Sequence, residues 1–157
     1  MREYTHTSRM CRFDELNPEI AAAVRDFASK HPPLMAEIEA QLLGCVETTS
    51  RLVKISFLER ISGLGEKTFT TGILLTPGFV IWSTCGPRRK TSAAAARLAD
   101  TEITQIFYDR TADTGLDVFC LMLDRTERSA VYMALGGDAA GEEFKGIFHA
   151  ALDKAYS

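Results

Sequence analysis

The strongest constraint on this chain is a double change in the period of its apolar residues. From about residue 46 to residue 135 they come in short β-type runs parted by turn chemistry, and after Gly136-Gly137 they step by three and four. Val53, Ile55 and Phe57 alternate with Lys54 and Ser56, which predicts a half-buried strand that begins near Val46 and is continued by Ile61. Residues 62–66 are expected to form a Gly-rich hairpin loop. A second strand, 68–75, is rich in β-branched and aromatic side chains. Thr76-Pro77-Gly78 has the chemistry of a type II turn. The third strand, 79–85, is broken by Gly86-Pro87. Residues 91–100 contain Ala93 to Ala96, a helix-favouring run. Its neighbours are strands on short turns, so it is assigned as a fourth strand. Strands five to seven follow at 103–108, 116–123 and 129–135, with polar turns at 111–115 and 124–128.

Helical periodicity frames this β region. Asp138 is placed as an N-cap, with Glu142 and Glu143 near the positive end of the dipole. Phe144, Ile147, Phe148, Ala151, Leu152 and Ala155 then make one apolar stripe, which predicts a helix over 138–155. Upstream, Asn17-Pro18 opens a helix whose stripe is Ile20, Val24 and Phe27, and His31-Pro32-Pro33 ends it. Leu34, Ile38 and Leu42 predict a second short helix stopped by Gly44. Residues 1–14 lack any period and are expected to be a frayed or partner-held arm. The domains expected are 1–44, an arm and helical extension, and 45–157, the β unit with its closing helix.

At 157 residues, 46% hydrophobic and 25% charged, the chain suits one soluble globular domain. A net charge of −3 speaks against a general affinity for nucleic acid. Residues 1–8 are polar with no apolar segment after them, so no signal peptide is expected. No apolar run approaches the roughly 20 residues of a membrane helix. Cys11, Cys45, Cys85 and Cys120 show no metal-ligand spacing, and reduced thiols in the cytoplasm are expected, with Cys120 a small core residue.

Seven hairpin-spaced strands followed by one amphipathic helix resemble a pleckstrin-homology-like (PH-like) domain, in particular the small bacterial versions, over about residues 45–155. The resemblance is carried by the run from Gly72 through Thr76-Pro77-Gly78 to Ile81, by the run from Leu98 to Ile106, and by the helix from Ala140 to Leu152. It implies an α+β, mostly β fold: a PH-like barrel of seven antiparallel strands in two orthogonal sheets, capped by the C-terminal helix, here with an N-terminal helical extension. It also implies a binding module. Lipid-binding members place basic residues around the first hairpin loop, where this chain has Arg60 and Lys67. The further basic position of that pattern falls on Phe69, and Glu66 occupies the loop.

No catalytic motif is present. Gly63-Leu64-Gly65-Glu66-Lys67-Thr68 lacks the glycine that a phosphate loop needs directly before its lysine, and a strand follows instead of a helix. Arg88-Arg89-Lys90 is the one dense cationic cluster, suited to a phosphate or carboxylates or else to a solvated loop that guards sheet edges. His6, His31 and His149 are too scattered for a metal site, and His149 is expected to pair with Asp153 on the helix surface. Trp82 is expected in the core. The chain is therefore expected to be a non-enzymatic module that needs no cofactor or metal. Arg60, Lys67, Arg88, Arg89 and Lys90 are its ligand-binding candidates, and its partners a protein, or else an anionic lipid or phosphate. A homodimer through the N-terminal helices is a further expectation. The alternatives are a small-ligand barrel or enzyme built on Asp117 or Glu102, and recognition of a membrane surface.

Overall fold

The structure, a computed structural model, describes residues 3–54, 67–104 and 114–157. Its strands are β1 (Glu3–Met10), β2 (Gly44–Lys54), β3 (Thr68–Leu75), β4 (Phe79–Gly86), β5 (Arg89–Thr104), β6 (Leu116–Met122) and β7 (Ser129–Met133). Each pairs antiparallel with the next, giving one seven-stranded meander in chain order. Helices α1 (Pro18–Ser29) and α2 (Pro32–Ala40) lie between β1 and β2, and α3 (Ala139–Ala155) follows β7. The whole is a mostly β, curled sheet, a half-barrel, with a C-terminal helix.

Side-chain alternation explains how the sheet is covered. Ile73, Leu75, Val80, Ala96 and Leu98 point to the concave side and pack with Phe144, Phe148 and Leu152 of α3. Leu74, Phe79, Ile81 and Ala95 point to the opposite side and pack with Leu16, Ile20, Val24 and Leu34. A strand buried on both faces needs apolar residues at every position, which is why β3 and β4 carry continuous apolar runs. The alanine run obeys the same logic. Ala95 lies beneath α1, while Ala96 faces the α3 side, so small side chains let both helices approach. Burial on two faces outweighs local helix propensity, and the run is strand.

The local signals at helix ends act as the sequence predicts, with one shift. Asn17 Oδ1 accepts from Glu19 N–H at 2.9 Å, and Pro18 opens α1. Glu47 of β2 accepts from Asn17 N–H at 2.6 Å, which fixes where α1 leaves the sheet. Ile20 and Val24 of the first stripe and Leu34 of the second are fully buried against the chain's own sheet, while Phe27 is half-buried. Pro32 and Pro33 end α1 and also begin α2. The second helix stops at Ala40 rather than at Gly44. Gln41 is already extended, and Leu43 N–H donates to the Leu75 carbonyl at 2.8 Å, drawing the chain into β2.

The turn between β3 and β4 differs from the expected type II form, because Gly78 does not take the positive φ that form requires. Its glycine serves a close approach instead. Gly78 N–H donates to Glu37 Oε1 of α2 at 2.7 Å, and a Cβ there would sit 2.7 Å from the same carboxylate. Glu37→Ala is expected to cost about 1 kcal/mol in urea unfolding, with an unchanged slope, because one charge-assisted bond is lost at a half-exposed site.

The N-terminal arm is where expectation and structure part. Residues Glu3–Met10 are not frayed: they form β1, paired with β2 from Glu3↔Lys54 to Met10↔Val46. The two helices thus leave and re-enter one sheet, and the expected 44/45 boundary separates two paired strands. The expected fourth strand and the first two residues of the expected fifth, Ile103 and Thr104, belong to one strand, β5, which pairs with β4 through its first half and with β6 through its second, with a break in register between Ala96 and Thr101, while 105–108 lie outside the described residues. Cys120 and the concave face of Trp82 belong to the core as expected. The first strand's outer part (55–61), the hairpin loop at 62–66 with Leu64, and Phe107-Tyr108 lie outside the described residues.

Candidate anion-binding site

Register brings separated cations together where β3, β4 and β5 end. Leu52 N–H donates to the Lys67 carbonyl at 2.8 Å, so Lys67 is anchored at the start of β3. Thr68 pairs with Arg51 of β2. On the other side, Gly86 pairs with Arg89 around the exposed Pro87-Arg88 turn. Gly86 has no side chain, so Arg89 reaches across it and its guanidinium lies 5.1 Å from the centroid of the Phe69 ring. Phe69 also packs with Tyr4, edge-on with centroids 5.1 Å apart. Phe69, the residue that breaks the lipid-binding pattern, thus becomes the support for an arginine.

At this stack lies an open hollow of about 460 Å³, lined by Lys67, Thr68, Phe69, Thr70, Cys85, Gly86 and Pro87 and by Glu19 of α1. Glu19 Oε2 accepts from the Thr91 hydroxyl at 3.1 Å, which turns that carboxylate toward β5. Lys67, Arg88, Arg89 and Lys90 are all exposed. Among the described residues no ion pair involves Lys67 or Lys90. Burial pushes the Cys85 thiol up, so it stays protonated and offers the hollow an unreactive wall. Lys67 lines the hollow, and the Arg88-Arg89-Lys90 run begins directly after Pro87 of its wall. Arg60 lies outside the described residues.

A second polar group sits where the edges of the curled sheet meet, and no motif or spacing marks it. His6 Nδ1 is 2.7 Å from Ser50 Oγ, and its Nε2 is 3.2 Å from the Tyr132 hydroxyl of β7. Ser8 Oγ bonds to Thr48 Oγ1 at 2.7 Å and accepts from Gly136 N–H at 2.8 Å. Ser50 and Thr48 are fully buried. A nucleophilic serine must meet its substrate, whereas this one is enclosed and bonded between strands, so the His6–Ser50 contact joins β1, β2 and β7. His31 stacks on Phe27 with ring centroids 4.6 Å apart. His149 and Asp153 are both exposed, without the expected bond between them.

The acids considered for an enzyme are not enclosed in the core. Glu102 is exposed and opposes Phe119, while half-buried Asp117 opposes Tyr132, both on the side of the sheet away from Val118 and Cys120. Among the described residues no three His, Cys, Asp or Glu side chains are grouped for a metal, and no helix is long and apolar enough to cross a membrane. Comparison with family models, curated proteins and solved structures finds no match to the chain.

Proposed function

We propose that this chain is a PH-like interaction module, acting without catalysis, that binds an anionic, phosphate-bearing ligand at the ends of β3, β4 and β5. The observation that carries the reading is that Lys67 and Phe69 line one hollow beside the turn that opens the Arg88-Arg89-Lys90 run, with Arg89 over the Phe69 ring. An arginine stacked on an aromatic ring loses little freedom when it binds, and its planar fork matches a phosphate. Threonine hydroxyls on the floor add neutral donors. The reading takes the fold as two orthogonal sheets that meet along β5, supported by that strand's two partners and its break in register. It takes α1 and α2 as the helical extension. Docking of a partner strand on the β1 edge has less support, because Asp138 already accepts from Ser8 N–H there.

Vesicles containing an anionic phospholipid are expected to sediment the protein at low salt, and inorganic phosphate to compete. Two cations near such a surface are worth about 2 kcal/mol together, so Lys67→Ser/Arg89→Ser is expected to bind roughly thirtyfold more weakly. Binding should fall further as salt screens the exposed charges. A double variant that binds like the wild type, or a wild type that takes up neither vesicles nor phosphate, would refute the proposal.

A further inference from the structure

Two of the four cysteines meet, and nothing in the binding reading uses them. Met10↔Val46 is the last pair of the β1–β2 ladder, and one step beyond it Cys11 faces Cys45. Cys11 N–H donates to the Cys45 carbonyl at 3.0 Å, and the two Sγ atoms stand 3.6 Å apart as free thiols. Residues opposite one another in an antiparallel ladder have Cα atoms about 4.5–5.5 Å apart, within the span a disulfide bridges. Closing the gap between the sulfurs needs side-chain rotation and no change of register.

We propose that Cys11 and Cys45 form a redox-active dithiol, which hydrogen peroxide closes to an intramolecular disulfide between the end of β1 and the start of β2. The two thiols are unequal in the way such a pair requires. Cys11 is partly exposed, whereas Cys45 is 3% exposed. The hydrogen bond from Cys45 holds the Cys11 thiol below its usual range, against the pull of burial, and the nearby Arg9 charge helps. That same hydrogen bond, together with burial, pushes Cys45 up. Cys11 is thus the attacking sulfur and Cys45 the resolving one.

The electrons balance in two steps. The Cys11 thiolate attacks one peroxide oxygen, the O–O bond breaks, and the hydroxide released takes a proton and leaves as water. Cys11 is then a sulfenic acid. The Cys45 sulfur attacks the Cys11 sulfur, the S–O bond breaks, and the Cys45 proton leaves with that hydroxyl as a second water. Two thiols lose two electrons in total, and one peroxide becomes two waters. The product ties residues 12–44, which carry both α1 and α2, into a covalent loop on the sheet.

The test is to expose the reduced protein to hydrogen peroxide, block residual thiols under denaturing conditions, and map the products by mass spectrometry. Four thiols are expected to fall to two, with a cross-linked peptide pair containing Cys11 and Cys45. Cys85 and Cys120 have their thiols pushed up by burial, so their loss is expected to be at least about tenfold slower. Cys11→Ser, a change at a partly exposed site, should keep its remaining thiols at the same dose. Cys45→Ser should leave a sulfenic acid on Cys11 that dimedone traps; because Cys45 is in the core, the Cys11 variant decides should this one fail to fold. Even loss across all four thiols, a bridge to Cys85 or Cys120, a bridge between two chains, or undiminished oxidation of Cys11→Ser would each overturn the proposal.

Discussion

Asp138→Ala is expected to destabilise the fold by about 3 kcal/mol, since it removes a helix cap worth about 1 and leaves an edge-strand N–H without its acceptor at a cost of about 2. The two roles belong to different oxygens. Oδ1 accepts from Gly141 N–H at 3.1 Å, within the first turn of α3. Oδ2 accepts from Ser8 N–H of β1 at 2.9 Å. Ser8 is only 8% exposed, so water cannot replace the carboxylate freely. One side chain therefore ties the start of the closing helix to the far edge of the meander. Asp138→Ser separates the roles: serine is a good N-cap but too short to serve Ser8 as well. It should recover only about 1 kcal/mol of the loss in urea unfolding. Faster hydrogen exchange at the Ser8 amide is expected in both variants. A serine variant as stable as the wild type would show that the bridge to β1 contributes nothing.

That bridge also shows why β1 escapes a reading of the sequence. Strand prediction depends on alternating apolar residues, and the positions of β1 that face inward are Tyr4, His6, Ser8 and Met10. Two of the four are polar. They are satisfied by Ser50 and Thr48, which are polar in turn, so both partners weaken the periodic signal. Hydrogen bonding, and not apolar burial, joins this part of the sheet, and a hydropathy pattern carries no record of it. The spacing of threonines at Thr5 and Thr7 was the available trace. The C-terminal helix is the opposite case: Asp138, the Gly136-Gly137 break and the stripe from Phe144 to Leu152 all act locally, and all were legible.

The candidate residues divide on the same line. Arg88, Arg89 and Lys90 are contiguous and were visible as a cluster. That Lys67 joins them follows from the β3–β4 and β4–β5 registers, and Arg89 reaches Phe69 only because Gly86 lies between them. The cysteine pair was hidden for a related reason. Its two members meet through the β1–β2 register, and without β1 there is nothing to bring Cys11 to Cys45.

Register also decides where a helix can lie on a sheet, and this gives the second large expected effect. On the outer face Gly72 stands between Glu47 of β2 and Ser83 of β4, and Ser83 is followed across the sheet by Ala93. The Ser83 hydroxyl donates to the Ser92 carbonyl at 2.9 Å, so it turns toward the backbone. The row Gly72, Ser83, Ala93 is therefore a shallow trench, and α1 crosses it. A Cβ on Gly72 would stand 2.8 Å from Ile20 Cγ2, a contact real side chains do not tolerate, and Ile20 is fully buried. Gly72→Val is expected to cost about 3 kcal/mol, because α1 must lift from the sheet and loosen the packing of Val24 and Leu34. Gly72→Ala should cost about half as much. Ile20→Ala alone should cost about 3 kcal/mol through the cavity it leaves, yet in the Gly72→Val background its cost should shrink by at least about 1 kcal/mol, as the valine enters the vacated space. Urea unfolding of the four proteins of this cycle measures the coupling directly. Strictly additive losses would mean that Gly72 and Ile20 do not share one volume, and that α1 is seated by Glu47 and the remaining apolar contacts instead.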